Sequence, residues 1–162
     1  MFKINWMNKW PLQYWNQKPF IKWAGVTVVK TSNGKSKVLL KVEDHHREAA
    51  ETDSVNEAIP AYLHDITQAL SVCSMLSTAV TSTTTINLNE DFVELMSTHD
   101  SLYYEGLVTK VGKHVAFSQS EFRDTNDRIC SKSTGSFRIQ YRTNRVETQA
   151  ISHSLNNVEG IK

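Results

Sequence analysis

The stretch "SVNEAIPAYLHDITQALSVCSMLSTAV", Ser54–Val80, decides how the rest of the chain must be arranged. From Ile59 onward, Tyr62, Leu63, Ile66, Ala69, Leu70, Cys73 and Leu76 recur at spacings of three and four, which places them on one face of a helix. Ser54 and Glu57 have the spacing of a capping box, and Asn56 is itself a suitable N-cap. Pro60 keeps the regular helix from starting more than about one turn earlier. A helix this apolar must be covered by other elements. Its one carboxylate, Asp65, falls at the edge of the apolar stripe when residues are advanced at about 100° each, the position of a side chain that lines a groove.

Working outward, "GVTVVKT" and "SKVLLKVE" are rich in β-branched and aliphatic residues, and Asn33-Gly34 between them is a strong hairpin signal. The stretch "DHHREAAETDS" carries both signs of charge and reads as a surface loop with room for a helical turn. Beyond the helix, "TSTTTINLN", "SLYYEGLVTKVG", "HVAFSQSEFRD" and "RICSKSTGSFRIQ" read as strands, with turns at Gly112-Lys113 and "DTND". Gly135, with Ser131 and Ser133 nearby, predicts close backbone approach or a bend in the last strand. Tyr103 and Tyr104 are expected to point to opposite faces. Two strands, a long apolar helix and four more strands predict an α+β fold, an antiparallel sheet curled around one central helix.

The 162 residues are enough for one domain and one core, and 40% hydrophobic with 22% charged residues is a globular composition. No apolar run approaches the roughly 20 residues of a bilayer span. A net charge of +1, with no arginine stripe or zinc-knuckle spacing, argues against a nucleic-acid partner. Cys73 and Cys130 have no metal-ligand spacing and point to free thiols in a reducing compartment. Lysines dominate the amino-terminal part, where the first acidic residue is Glu43, and the tryptophans Trp6, Trp10, Trp15 and Trp23 all fall there. Pro11 and Pro19 limit this arm to short helical turns. Rings interleaved with lysines suit docking on a membrane surface or a partner, and equally suit packing of the arm on its own domain. Mitochondrial transit peptides share the lack of acids, but the first 25 residues hold no arginine or serine. The chain divides into a basic tryptophan-rich arm, 1–24, a domain, 25–140, and a polar tail, 141–162.

Between residues 24 and 139 the chain resembles the small acyl-coenzyme A thioesterases of the hotdog fold. The resemblance rests on "VED" (Val42–Asp44), "AYLHD" (Ala61–Asp65), "TTTINL" (Thr83–Leu88) and "GLVTKVGKHVAFSQSEFRD" (Gly106–Asp124). It implies a helix-start N–H that polarises the thioester carbonyl and a carboxylate that activates water. A helix amino terminus offers free donors where oxyanion charge develops, so that chemistry is physically sound. By position in "AYLHD", Asp65 matches the carboxylate. The oxyanion donors would lie near Glu57 and Ala58, Thr83 would supply an assisting hydroxyl, and Lys113 would meet coenzyme A phosphates. The usual His-Gly-Gly element is replaced by Asn56-Glu57-Ala58, and an asparagine usual in the preceding loop falls on Glu48. Glu57 puts negative charge where the oxyanion would form.

Each candidate also has a plain structural reading: helix capping for Asn56 and Glu57, a solvated or interfacial aspartate for Asp65, a solvated turn lysine for Lys113. Adjacent His45 and His46 converge poorly on one ion, so no metal site is expected. His64 points about 100° away from Asp65, which argues against a dyad, and no acid-histidine pair of the hotdog dehydratase kind is evident. The expectation is a thioesterase-like hotdog protein with weakened or lost hydrolase activity, a structural or acyl-binding subunit of a larger assembly docked through residues 1–24. The alternative is an active acyl-coenzyme A thioesterase. Both require no resident cofactor, coenzyme A thioesters entering as substrate or ligand. Both imply a homodimer or a heterodimer with another hotdog subunit. The location expected is mitochondrial, the alternative cytoplasmic.

Overall fold

The computed structural model describes residues 10–49, 52–76, 80–97 and 102–141. Alternation of buried and exposed residues, clearest in β2, β5 and β6, and a threonine-rich run in β3 build six strands: β1 (Val26–Ser32), β2 (Lys35–Leu40), β3 (Val80–Phe92), β4 (Leu102–Val111), β5 (Val115–Arg123) and β6 (Ile129–Tyr141). They form one antiparallel sheet in the order β1-β2-β4-β5-β6-β3, so β1 and β3 are its edges. The β1–β2 hairpin turns at Asn33 and Gly34, both at positive φ (50° and 76°), the geometry the Asn-Gly pair predicts. The "DTND" turn is held by Asp124, whose carboxylate accepts from the Asn126 and Arg128 N–H groups.

The long helix, here α3, runs Ala58–Cys73 with Pro60 in its first turn and packs on the inner face of the sheet. The predicted capping box is not the one formed. Ser54 Oγ donates to Glu48 instead, and the Ala58 N–H is capped by Asn56 Oδ1 at 2.9 Å. The loop before α3 is less exposed than its composition predicts. Asp44–His46 form a 3-10 turn, and the buried His46 ring accepts the Glu43 N–H at Nδ1.

The single apolar face predicted for α3 also needs correction, because the helix uses its sides differently. Leu63, Ile66 and Leu70 enter a core with Val26, Val28, Val38, Leu40, Leu102, Tyr104 and Phe122, while Val72 and Leu76 join a second cluster with Ala116, Phe137 and Ile139. The buried face also contains His64, Thr67, Gln68 and Ser71. Tyr62, Ala69 and Cys73 are only partly covered. Glycine brings helix and sheet together: a Cβ on Gly106 would lie 2.9 Å from the Thr67 carbonyl oxygen, and one on Gly135 would lie 2.6 Å from Gln68 Oε1. That is the close approach expected at Gly135. Tyr104 is buried and Tyr103 half-exposed, on opposite faces as the alternation requires.

The described part of the arm folds as two five-residue helices, α1 (Leu12–Asn16) and α2 (Pro19–Trp23). Helices this short need tertiary support, and burial of Ile21 and Ala24 in the core supplies it. Asn16 adds a second anchor by pairing with Val28 on edge strand β1 through both its amide nitrogen (3.1 Å) and its oxygen (2.8 Å). Trp10 and Trp15 pack with their rings 5.8 Å apart, and Trp23 stands edge-on to Tyr62 at 5.5 Å while staying 61% exposed. Trp6 and the tail beyond Tyr141 lie outside the described residues.

Candidate functional site

A groove of about 360 Å³ runs over the open side of α3. Its base is α3 itself, through Tyr62, Asp65, Ile66, Ala69, Leu70 and Cys73. One wall is β3, from Thr81 to Thr85, and the opposite wall is the arm, through Trp10, Tyr14, Trp15 and Phe20. The lining is apolar and aromatic on the arm side and hydroxyl-bearing on the β3 side. One carboxylate, Asp65, faces it.

Asp65 is half-buried and accepts a hydrogen bond of 2.6 Å from Thr85 Oγ1. Burial first, and then the Asp65 charge, push the neighbouring Tyr62 hydroxyl up from its ordinary value. Thr83 shares the groove, with its hydroxyl 3.8 Å from Cys73 Sγ. Thr83 and Thr85 both face inward from β3, paired with Ile139 and Phe137 of β6, but Thr85 is the one that meets Asp65. A slip in register between Thr85 and Asn87 changes how β3 presents its side chains. Sequence reading named Thr83 as an assisting hydroxyl, which lies in the groove, and did not anticipate Thr85 as the partner of Asp65.

Other candidates are placed elsewhere. Glu57 and Ala58 precede Asp65 by eight and seven positions on the helix, a rise of roughly 10–12 Å, and neither lines the groove. The Ala58 N–H is already engaged by Asn56. Lys113 is exposed at the β4–β5 turn, where its carbonyl accepts from the Tyr141 hydroxyl, and it does not line the groove either. His45 and His46 serve the loop, with His45 Nε2 3.0 Å from the Trp23 carbonyl. Cys73 Sγ lies 3.8 Å from Thr83 Oγ1, and Cys130 Sγ donates to the Arg128 carbonyl at 3.8 Å.

His64 turns away from Asp65 and into the sheet. Its Nδ1 lies 2.6 Å from Ser120 Oγ and its Nε2 2.7 Å from Ser131 Oγ. Gln68 donates to Ser120 (3.0 Å) and Ser133 (2.9 Å), Ser71 lies 2.8 Å from Ser118, and Ser36 donates to the Thr67 carbonyl at 2.6 Å. An arrangement that uses each proton once has Ser120 donating to Nδ1 and Nε2 donating to Ser131, with the imidazole neutral. Burial holds it neutral, lowering its pKa to about 3. Glu90 of β3 approaches His64 Nε2 to 3.5 Å with its side chain only 9% exposed, and burial raises its pKa to about 7. Sequence reading found no such acid-histidine pair. The available signal was the two-residue spacing of Ser118 with Ser120 and of Ser131 with Ser133, set against a polar stripe at 64, 67, 68 and 71 on the helix.

No protein-family model and no curated protein matches this chain. Solved structures do. A conserved protein from Pseudomonas aeruginosa superposes with a TM-score of 0.71 at 17% identity, covering 80% of this chain and 99% of its own. A protein from the thioesterase superfamily gives 0.70 at 20%, covering 80% and 95%. A hypothetical thioesterase from Streptococcus pneumoniae, solved with coenzyme A, gives 0.64 at 15%, covering 74% and 88%. The chain has the hotdog fold. In hotdog terms α3 is the central helix, the six strands are the sheet that wraps it, and the arm is an addition over the helix's open side.

Proposed function

We propose that this hotdog protein binds acyl thioesters of coenzyme A and hydrolyses them weakly or not at all. The observation that carries the reading is the Asp65 carboxylate, held by Thr85 in a groove of small-molecule size whose arm side is apolar and aromatic. The thioesterase and coenzyme A in the names of structural neighbours support the ligand class. The weakness of hydrolysis follows from the helix start. Ala58 has given its N–H to Asn56, and the exposed Glu57 beside it opposes developing negative charge. Among the described residues Glu57 and Ala58 at the start of α3 do not line the groove of their own chain, so a partner subunit, in a homodimer or a heterodimer, would have to supply the helix-start donor. Edge strand β3, 13 residues long, offers the ladder for that pairing.

The test is calorimetric binding of acyl-coenzyme A analogues whose thioester is replaced by a thioether, run beside hydrolysis of the true thioesters. Binding with turnover near background is the expected result. Turnover that vanishes in Asp65→Asn would establish the active thioesterase instead, and absence of binding would remove the acyl reading. A second role, docking of residues 1–24 on a mitochondrial or cytoplasmic membrane assembly, is favoured by the exposed Trp23, Leu12 and Phe20 rings and side chains on the arm. Release of the protein from membranes on truncating residues 1–23, and likewise in Trp23→Ser with the fold intact, would support it, and unchanged association would argue against it.

A further inference from the structure

We propose that the amino-terminal arm limits the length of the acyl group the groove accepts, and that Asn16 is the residue that positions it. This rests on the acyl-binding reading above. A sheet curled around a helix leaves an opening between its two edges, here β1 and β3. The arm is tied to β1 through Asn16 and Val28 and fills this opening. Its rings at Trp10, Tyr14, Trp15 and Phe20 stand across the groove from Thr81–Thr85. Without them the apolar side of α3 would be open on the β1 side. With them the enclosed space is about 360 Å³, near the lower end for small-molecule sites.

The wall is bulky but lightly held. α1 and α2 have five residues each and little helical stability of their own. Trp15 packs against the core from one side and lines the groove with the other, so a chain that outgrows the groove must displace it and its neighbours Tyr14 and Trp10. Asn16 sits just beyond Trp15, does not line the groove, and binds the β1 backbone with both ends of its amide. Its loss therefore acts on the groove only by freeing the wall.

The experiment measures dissociation constants of the full chain for butanoyl, octanoyl and hexadecanoyl thioether analogues of coenzyme A, in the natural protein, Asn16→Ala and Tyr14→Ala. The natural protein is expected to bind the shorter analogues best. Asn16→Ala should tighten the hexadecanoyl analogue about tenfold or more, the scale on which apolar pockets discriminate by size, while butanoyl binding stays the same. Tyr14→Ala, which removes a half-exposed ring, should move the profile the same way and serves if Asn16→Ala does not fold. The same length profile in all three proteins, or a uniform loss at every length, would overturn the gate while leaving the acyl site standing. Failure of every analogue to bind the natural protein would overturn both.

Discussion

The two long sides of α3 reverse the usual relation between burial and polarity. The side pressed against the sheet carries His64, Thr67, Gln68 and Ser71 among its apolar core residues Leu63, Ile66 and Leu70, while the groove side carries the partly covered Tyr62, Ala69 and Cys73 with the single Asp65. Buried polar groups are tolerated when they find partners, and here serines of β5 and β6 meet His64, Gln68 Nε2 and Ser71, Thr67 Oγ1 donates to the Leu63 carbonyl, and among the described residues Gln68 Oε1 has no hydrogen-bond partner. On the groove side the helix meets the rings of the arm across a space of about 360 Å³, and Asp65 has the Thr85 hydroxyl as its partner. The inner side fixes the helix in one register on the sheet; the outer side is the one to which we assign the ligand.

The largest effect should come from spoiling the inner contact. Gly106→Ala would drive a Cβ to 2.5 Å from Ser36 Oγ and 2.9 Å from the Thr67 carbonyl oxygen. Because the second obstacle is helix backbone, a loss of about 3 kcal/mol in chemical denaturation is expected. His64→Leu comes next, at roughly 2 kcal/mol, since it strands the Ser120 and Ser131 hydroxyls. If that variant proved as stable as the natural protein, the polar network would not be what holds the helix.

A pH series sharpens the same point. With its pKa lowered to about 3 in the fold, neutral His64 contributes stability that is full above its unfolded value of 6.5 and is lost as pH falls toward 3. Glu90, raised from 4.5 to about 7, works oppositely: its contribution is full below 4.5 and is lost as pH rises through 7. Between pH 4.5 and 6.5 the folded chain holds its proton on Glu90 and the unfolded chain holds one on His64, so the two slopes cancel. Glu90→Gln should expose the His64 slope, making stability climb with pH across that window by at most about 1.4 kcal/mol per unit. Identical pH profiles for the variant and the natural protein would exclude this balance. The smallest effect belongs to the outer side. Thr85→Val removes one hydrogen bond to a half-buried carboxylate, and a melting experiment should register about 1 kcal/mol or less.

The six strands and the helix were legible because alternation and the three-to-four spacing are set by burial, and burial dominates folding energetics. Asn33-Gly34 and Asp124–Asp127 announced their turns for a similarly local reason, the need for positive φ or a side-chain acceptor. The polar stripe was illegible because Ser118, Ser120, Ser131 and Ser133 have the composition of loops; only their pairing across β5 and β6 makes them an interior surface. Asp65 could be placed on its groove from helical angle alone, whereas which threonine of β3 meets it is set by how far along the helix the strand lies, a long-range placement with no local signature. The tryptophans of the arm were ambiguous for a physical reason. A membrane, a partner and the chain's own helix all reward the same mixture of ring and lysine, and the Asn16–Val28 pairing that decides for Trp15 is a contact between residues twelve apart with no local signature.

That pairing also makes the sheet lopsided. An edge strand with unsatisfied backbone groups at both margins of a sheet is a template for endless addition of further chains. Here the side-chain amide of Asn16 imitates a neighbouring strand at Val28 and blunts the β1 margin, while the β3 margin stays open. A molecule that can be extended from one margin only closes when two copies meet there. The same asparagine that holds the arm would thus favour a finite pair over a growing fibre.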